Sequence, residues 1–117
     1  MTRIYYYLSI SGENPVMDFI DSVQKPQKKK VFKIFEYIEI YGLPAVFPHT
    51  KKITNTPLWE IRILGRNSTR IIYAVIHKGD ILILHGFVKK TQQTPTKHIG
   101  VSIQRYRDWK NRQKSRY

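Results

Sequence analysis

Cysteine is absent from these 117 residues. That removes disulfides, thiol nucleophiles and zinc–thiolate sites together, and it fits a reducing compartment, so the cytoplasm is the expected location. Long apolar runs are missing as well. No window approaches the roughly 20 apolar residues of a membrane span, which predicts no membrane partner. Arg3 and the polar residues after Ile10 break any signal-peptide pattern at the start. Acidic residues are scarce: 21 Lys and Arg stand against 8 Asp and Glu, a formal charge of +13. An excess of that size predicts an anionic partner drawn in by long-range attraction, nucleic acid before acidic protein. No Asp/Glu cluster suited to two Mg²⁺ ions is present, which argues against a two-metal nuclease, and no metal site or cofactor is implied.

What is present is unevenly placed. Five of the acids, Glu13, Asp18, Asp21, Glu36 and Glu39, lie in the first 39 residues, while nine basic residues from Lys89 to Tyr117 face only Asp108. The C-terminal half is therefore expected to meet the polyanion, although a basic tail can also be merely solubilising. A chain of this length buries roughly two-thirds of its unfolded surface as a single domain, and no repeat or low-complexity segment divides it.

The order of elements predicts an α+β fold. RIYYYLSI (3 to 10) reads as a strand. Asn14 and Pro15 are a capping side chain and a first helical residue, followed by Val16, Phe19, Ile20 and Val23 on one helix face. A second helix follows Pro26, with Val31, Phe35, Ile38 and Tyr41 as its apolar stripe and Gly42 as its stop. GLPAVFPHT is a proline-punctuated loop. Then come KKIT and three strand candidates, LWEIRIL, TRIIYAVIH and DILILHGFV, joined at GRNS and KG as an antiparallel meander. Ile99, Ile103 and Tyr106 predict a last helix over about Thr96 to Arg112.

Register turns this order into a site. A two-residue turn at Lys78 and Gly79 pairs His77 with Asp80, hence Arg70 with Phe87 and Ile72 with His85. An odd loop centred on Arg66 sets Arg62 opposite Arg70, an even one sends them to opposite faces, and the odd choice is the chemically sensible one. Alternation then puts Trp59, Ile61, Ile63, Ile71, Tyr73, Val75, Leu82, Leu84 and Val88 on one apolar face, which is expected to carry the helices. Glu60, Arg62, Arg70, Ile72, His85, Phe87 and Lys89 fall on the other, with Lys90 at the fraying strand end.

Two Arg, a Lys, a His and a Glu around an aromatic ring are the groups of phosphodiester chemistry without metal. Arg forks hold phosphate oxygens, while His, Lys or Glu move protons. RNA would supply its own nucleophile, the 2′-hydroxyl, and Phe87 could stack a base. Lys51 and Lys52 are expected near the rim, in reach of RNA backbone; His98 and Lys97 could close over the site from the last helix. Blander roles stand beside these: His85 as a satisfied sheet-surface residue, Glu60 as an ion-pair partner of Arg62, the lysines as solvated charge, His49 and His77 as loop and turn residues. Trp59, Trp109 and Tyr5 to Tyr7 read as packing.

The stretches LWEIRI, TRIIYAVI and ILILHGFVKKTQQTP resemble the phage-derived, HigB-like branch of the RelE/ParE toxin superfamily, over most of the chain. The resemblance implies one RelE/HigB-like toxin domain over residues 1–117, with a small curved antiparallel sheet, made of the N-terminal strand and the C-terminal three-strand meander, flanked by helices. It implies a type II toxin that cuts messenger RNA, usually on the translating ribosome, without metal, by 2′-hydroxyl attack giving a 2′,3′-cyclic phosphate. The implied partners are messenger RNA, the ribosome with its 16S rRNA, and a helix-turn-helix, HigA-like antitoxin. Arg70 matches the arginine that faces the scissile phosphate, Arg62 a second basic position, and Lys89 and Lys90 the basic residue after the last strand. Glu60 stands near a lysine position of RelE, and no tyrosine follows Lys90 as it does there, so general base and acid stay open. Arg70→Ala is expected to abolish growth arrest with the fold largely intact. Two alternatives share the composition: a ParE-like inhibitor of DNA gyrase, and a basic nucleic-acid-binding module without catalysis.

Overall fold

In the computed structural model, which describes residues 2–63, 65, 68–90 and 94–114, the N-terminal signals act as their residue types predict. Strand β1 (Ile4–Tyr6) is shorter than the apolar run containing it. Asn14 Oδ1 accepts from the Met17 amide at 3.0 Å, Pro15 takes the first position, and α1 (Pro15–Ser22) buries Val16 and Ile20. Helix α2 (Lys25–Tyr41) buries Val31, Phe35 and Ile38 and ends at Gly42, whose φ of +84° suits glycine and whose amide donates to the Ile38 carbonyl. Tyr41, expected on the buried stripe, is exposed. The proline-rich stretch is a 3-10 helix, Leu43–His49, rather than an irregular loop.

Lys51 and Lys52 do not merely precede a strand; with Thr50 they form the edge strand β2 (Thr50–Lys52). Strands β3 (Leu58–Ile63), β4 (Thr69–Val75) and β5 (Ile81–Val88) form the expected meander, and α3 (Thr96–Lys114) closes the chain. The α+β class holds, but the sheet has five strands in the order β1-β5-β4-β3-β2 and is mixed. Strand β1 runs parallel to β5, Ile4 beside Ile81 and Tyr6 beside Ile83, because two helices rather than a turn carry the chain away from it.

Two departures from the expected β4–β5 hairpin cancel. The loop has three residues, His77 to Gly79, and Ile76 rather than His77 meets Asp80, its amide donating to the Asp80 carbonyl at 2.8 Å. Lys78 at φ +63° and Gly79 at φ +76° make this turn. Pairs Val75–Ile81 and Tyr73–Ile83 follow, and then the register shifts so that Ile72 meets His85 and Arg70 meets Phe87. Leu84 is the extra residue of that bulge and shares a face with His85. Arg62 opposes Arg70 as expected, while Arg66 of the connecting turn lies outside the described residues.

The bulge also corrects the faces. Ile61, Ile63, Ile71, Tyr73, Ile81 and Ile83 pack under α1 and α2. Leu82 and Leu84, expected there, join Leu58, Ile72, Ala74 and Phe87 on the opposite face beneath Ile99, Ile103, Tyr106 and Trp109 of α3. Helices thus cover both faces, so β4 and β5 read as continuous apolar runs instead of alternating ones. Val75 ends up exposed at the sheet margin.

Gly86, inside HGFV, sits where a Cβ would come 2.4 Å from Phe19 Cδ2 on α1. Gly86→Ala therefore overpacks the α1–sheet interface and is expected to lose about 1–3 kcal/mol in urea denaturation.

Candidate anion-binding site

Strand pairing lays out the site in rows. Lys51, Glu60, Ile72 and His85 are successive partners across β2, β3, β4 and β5, and Arg62, Arg70 and Phe87 form the next row. All project from the face that α3 covers only in part. At its open end His49, Lys51, Glu60, Arg62, Arg70 and Lys89 line a cleft of about 220 Å³. Five of the six carry or can carry positive charge, and Arg62 sits directly opposite Arg70, a like-charge pairing that weakens a sheet.

Glu60 is the one carboxylate. It is 6% exposed and accepts from Arg70 Nε at 3.1 Å; Arg70 is 8% exposed and also donates from Nη1 to the Thr69 carbonyl at 3.3 Å. Glu60 was expected to pair with Arg62; it pairs with Arg70 instead, one strand further on, and Arg62 is exposed. The Thr94 hydroxyl donates to the other Glu60 oxygen. Thr94 belongs to the KKTQQTP stretch, of which Thr91 to Gln93 lie outside the described residues. Desolvation holds the Lys89 ammonium below its ordinary range; the positive field of Arg70, Lys51 and Arg62 adds to this, and Glu60 opposes it.

The aromatic expected to stack a base does not face the cleft. Phe87 is 3% exposed, and the His98 ring lies on it at 4.0 Å between centroids and 11° between planes. His98 closes over Phe87, not over the cleft. Its Nδ1 stands 2.8 Å from His85 Nε2, and Arg105 Nη1 lies 3.2 Å from His85 Nδ1. Arg105 can only donate, so His85 Nδ1 accepts and His85 Nε2–H donates to His98. With both nitrogens engaged, His85 titrates at about 4, pushed down by burial and then by Arg105 and His98.

Three other lysines lie off the cleft. Lys52 alternates to the opposite face, where its Nζ stands 5.5 Å over the Trp59 ring, as β alternation requires. Lys90 and Lys97 are exposed. His49 is the lining residue the sequence did not reveal. It sits at the end of the 3-10 helix, and only the return of that segment beside β3 brings it to the arginines. Among the described residues no group of three or more His, Asp or Glu side chains is placed to hold a metal ion. Among them also, no helix is long and apolar enough to cross a membrane.

The α+β fold thus brings guanidinium, ammonium and imidazole groups together over one buried carboxylate, groups whose chemistry suits a phosphate-like anion. The chain belongs to the phage-derived protein Gp49-like family (DUF891), whose model matches residues 18–107 and so includes every cleft-lining residue. That family is associated with RelE-type, toxin-like proteins. Comparison with curated protein sequences finds no match.

Removing Arg70 strands a buried charge. Arg70→Ala is expected to destabilise the fold by about 3–5 kcal/mol in urea denaturation, which revises the expectation that this variant would stay well folded. A second expectation follows from His85. Its folded value of about 4 lies below the ordinary 6.5, so the unfolded chain binds the extra proton first. Stability is therefore full above about pH 6.5 and falls as pH drops towards 4. Urea titrations at pH 7, 5.5 and 4.5 should show this slope in the wild type and a flatter one in His85→Gln.

Proposed function

We propose that this protein is the toxin of a type II toxin–antitoxin pair, of the HigB-like kind, and cleaves messenger RNA on the ribosome without metal. The observation that carries this is the meeting of Arg62, Arg70, Lys51, Lys89 and His49 over Glu60 in one cleft. Glu60 offsets one positive charge, that of Arg70, so the cleft keeps a cationic excess that a phosphodiester offsets with oxygens matching the arginine forks. A cleft so rich in cations also repels Mg²⁺, which favours chemistry drawn from side chains alone.

In that chemistry the RNA 2′-hydroxyl attacks the adjacent phosphorus, the P–O2′ bond forms and the P–O5′ bond breaks, leaving a 2′,3′-cyclic phosphate. Arg70, held by Glu60, and Arg62 bind the non-bridging oxygens as negative charge builds on them. Glu60 is engaged by Arg70 and Thr94, and His49, which lines the same cleft, is assigned the 2′-hydroxyl proton. Lys89, its amine made more acidic by desolvation and its cationic neighbours, gives a proton to the departing 5′-oxygen. Lys51, with Lys90 and Lys97 outside the cleft, holds flanking phosphates or ribosomal RNA, and a cognate helix-turn-helix antitoxin neutralises the protein in the cytoplasm.

Primer extension on a defined message in a purified translation system, with EDTA-treated naked RNA as control, tests this. Arg62→Ala, which leaves the buried pair intact, should lower the cleavage rate by about 10²–10³-fold. Lys89→Arg keeps the charge but not the transferable proton and should lower kcat by about 10²–10⁴-fold with KM little changed. Intact RNA alongside growth arrest by wild-type protein would sink the nuclease and move the assignment to gyrase inhibition; intact RNA without arrest would leave a binding module.

A further inference from the structure

Single-stranded RNA is usually held by stacking its bases on aromatic rings, and Phe87, the phenyl ring of the site's strands, lies under His98 instead. An exposed ring stands just around the sheet edge. Tyr37 on α2 is 45% exposed, and beside it Ile34, Ile63 and His49 form a mainly apolar pocket of about 190 Å³. Lys30, Lys33 and Arg62 complete its lining. His49 and Arg62 line both this pocket and the cationic cleft, so the two adjoin.

We infer that this pocket is a nucleobase subsite, which takes the unpaired base next to the phosphate held by Arg62 and Arg70 and stacks it on Tyr37. The inference rests on the reading that the ligand is RNA. Its size fits one planar ring system better than an extended ligand, since sites for drug-sized molecules run to roughly 300–1,000 Å³. Its charge complements a nucleotide: an apolar floor for the ring, and cations at Lys33 and Arg62 for the phosphates on either side. The spacing of Lys30, Lys33, Ile34 and Tyr37 puts all four on one side of α2, so the helix presents ring and charge together. An acidic protein segment is the competing occupant; it would use the lysines but has no need of a path to the arginine cleft.

Short 2′-O-methyl RNA oligonucleotides, which cannot be cut because the nucleophile is blocked, separate base binding from cleavage. With wild-type protein, fluorescence anisotropy on a hexanucleotide series with one abasic position moved along the strand should find a position where losing the base weakens binding by about 5- to 150-fold. Tyr37→Ala should bind the intact strand that much more weakly and be indifferent to the abasic position. Tyr37→Phe should behave as wild type. Tyr37→Ala that retains the wild-type abasic pattern overturns the subsite, and so does wild-type indifference to every abasic position, which would leave the pocket to a protein partner. Because nothing is cleaved in this assay, a Tyr37-dependent base effect survives even if the nuclease reading fails in the translation system.

Discussion

The ion pair between Glu60 and Arg70 is the contact on which the site depends. Both groups are almost entirely removed from water, and stripping each of its hydration costs several kcal/mol that a single pair barely offsets. Its consequence is therefore positional rather than stabilising. Glu60 holds Nε and Thr69 holds one Nη1 proton, so the guanidinium lies in a fixed plane beside Arg62 and Lys89. The Thr94 bond adds a second restraint, tying the segment just before α3 to β3. Without the carboxylate, the buried Arg70 guanidinium would stand uncompensated beside Arg62 and Lys89.

The two-sided burial of the sheet decides where that site can lie. Helices α1 and α2 cover one face and α3 part of the other, and the charged side chains Arg62, Arg70 and Lys89 gather at the end of β3, β4 and β5 that α3 leaves open. Gly86 and Phe87 show how tightly this is arranged. The glycine lets Phe19 of α1 approach the sheet, while its neighbour is sealed beneath His98 on the other side. A motif that reads as a base platform followed by basic residues is thus half packing and half site. Arg105 continues the sealing by donating to the Leu84 carbonyl at 2.8 Å and to His85, so the bulge that aims His85 is itself pinned by α3.

On the proposed reading, the substrate runs along a ridge rather than into a hole. The phosphate cleft opens beside β2, a three-residue edge strand, and the Tyr37 pocket lies beyond the same edge against α2. Arg62 belongs to both because it is exposed at the end of β3, where a long side chain serves either side. Tyr41, one turn along α2, packs against Tyr37 with ring centroids 6.0 Å apart and is itself exposed.

The sequence by itself determined the local chemistry: the N-cap of α1 and the glycine stop of α2, every strand but the short edge strand β2, the last helix, and the excess of positive charge in the second half. Strand period also set Arg62 and Arg70 in one row for an odd connecting loop, while an even loop would have sent them to opposite faces. The pairing of Arg70 with Phe87 across β4 and β5 came through compensation, a loop one residue longer than expected offset by a bulge one residue wide. Tertiary structure alone decided the rest. Which face α3 would cover, and hence the fate of Leu82, Leu84 and Phe87, depends on packing between elements distant in sequence. The choice of Arg70 over Arg62 as partner of Glu60 is decided by relative burial, since a carboxylate out of water pairs with the cation that is out of water with it. His49 joined the cleft, and Tyr37 came to stand beside it, only because the chain between α2 and β3 folds back against the sheet edge.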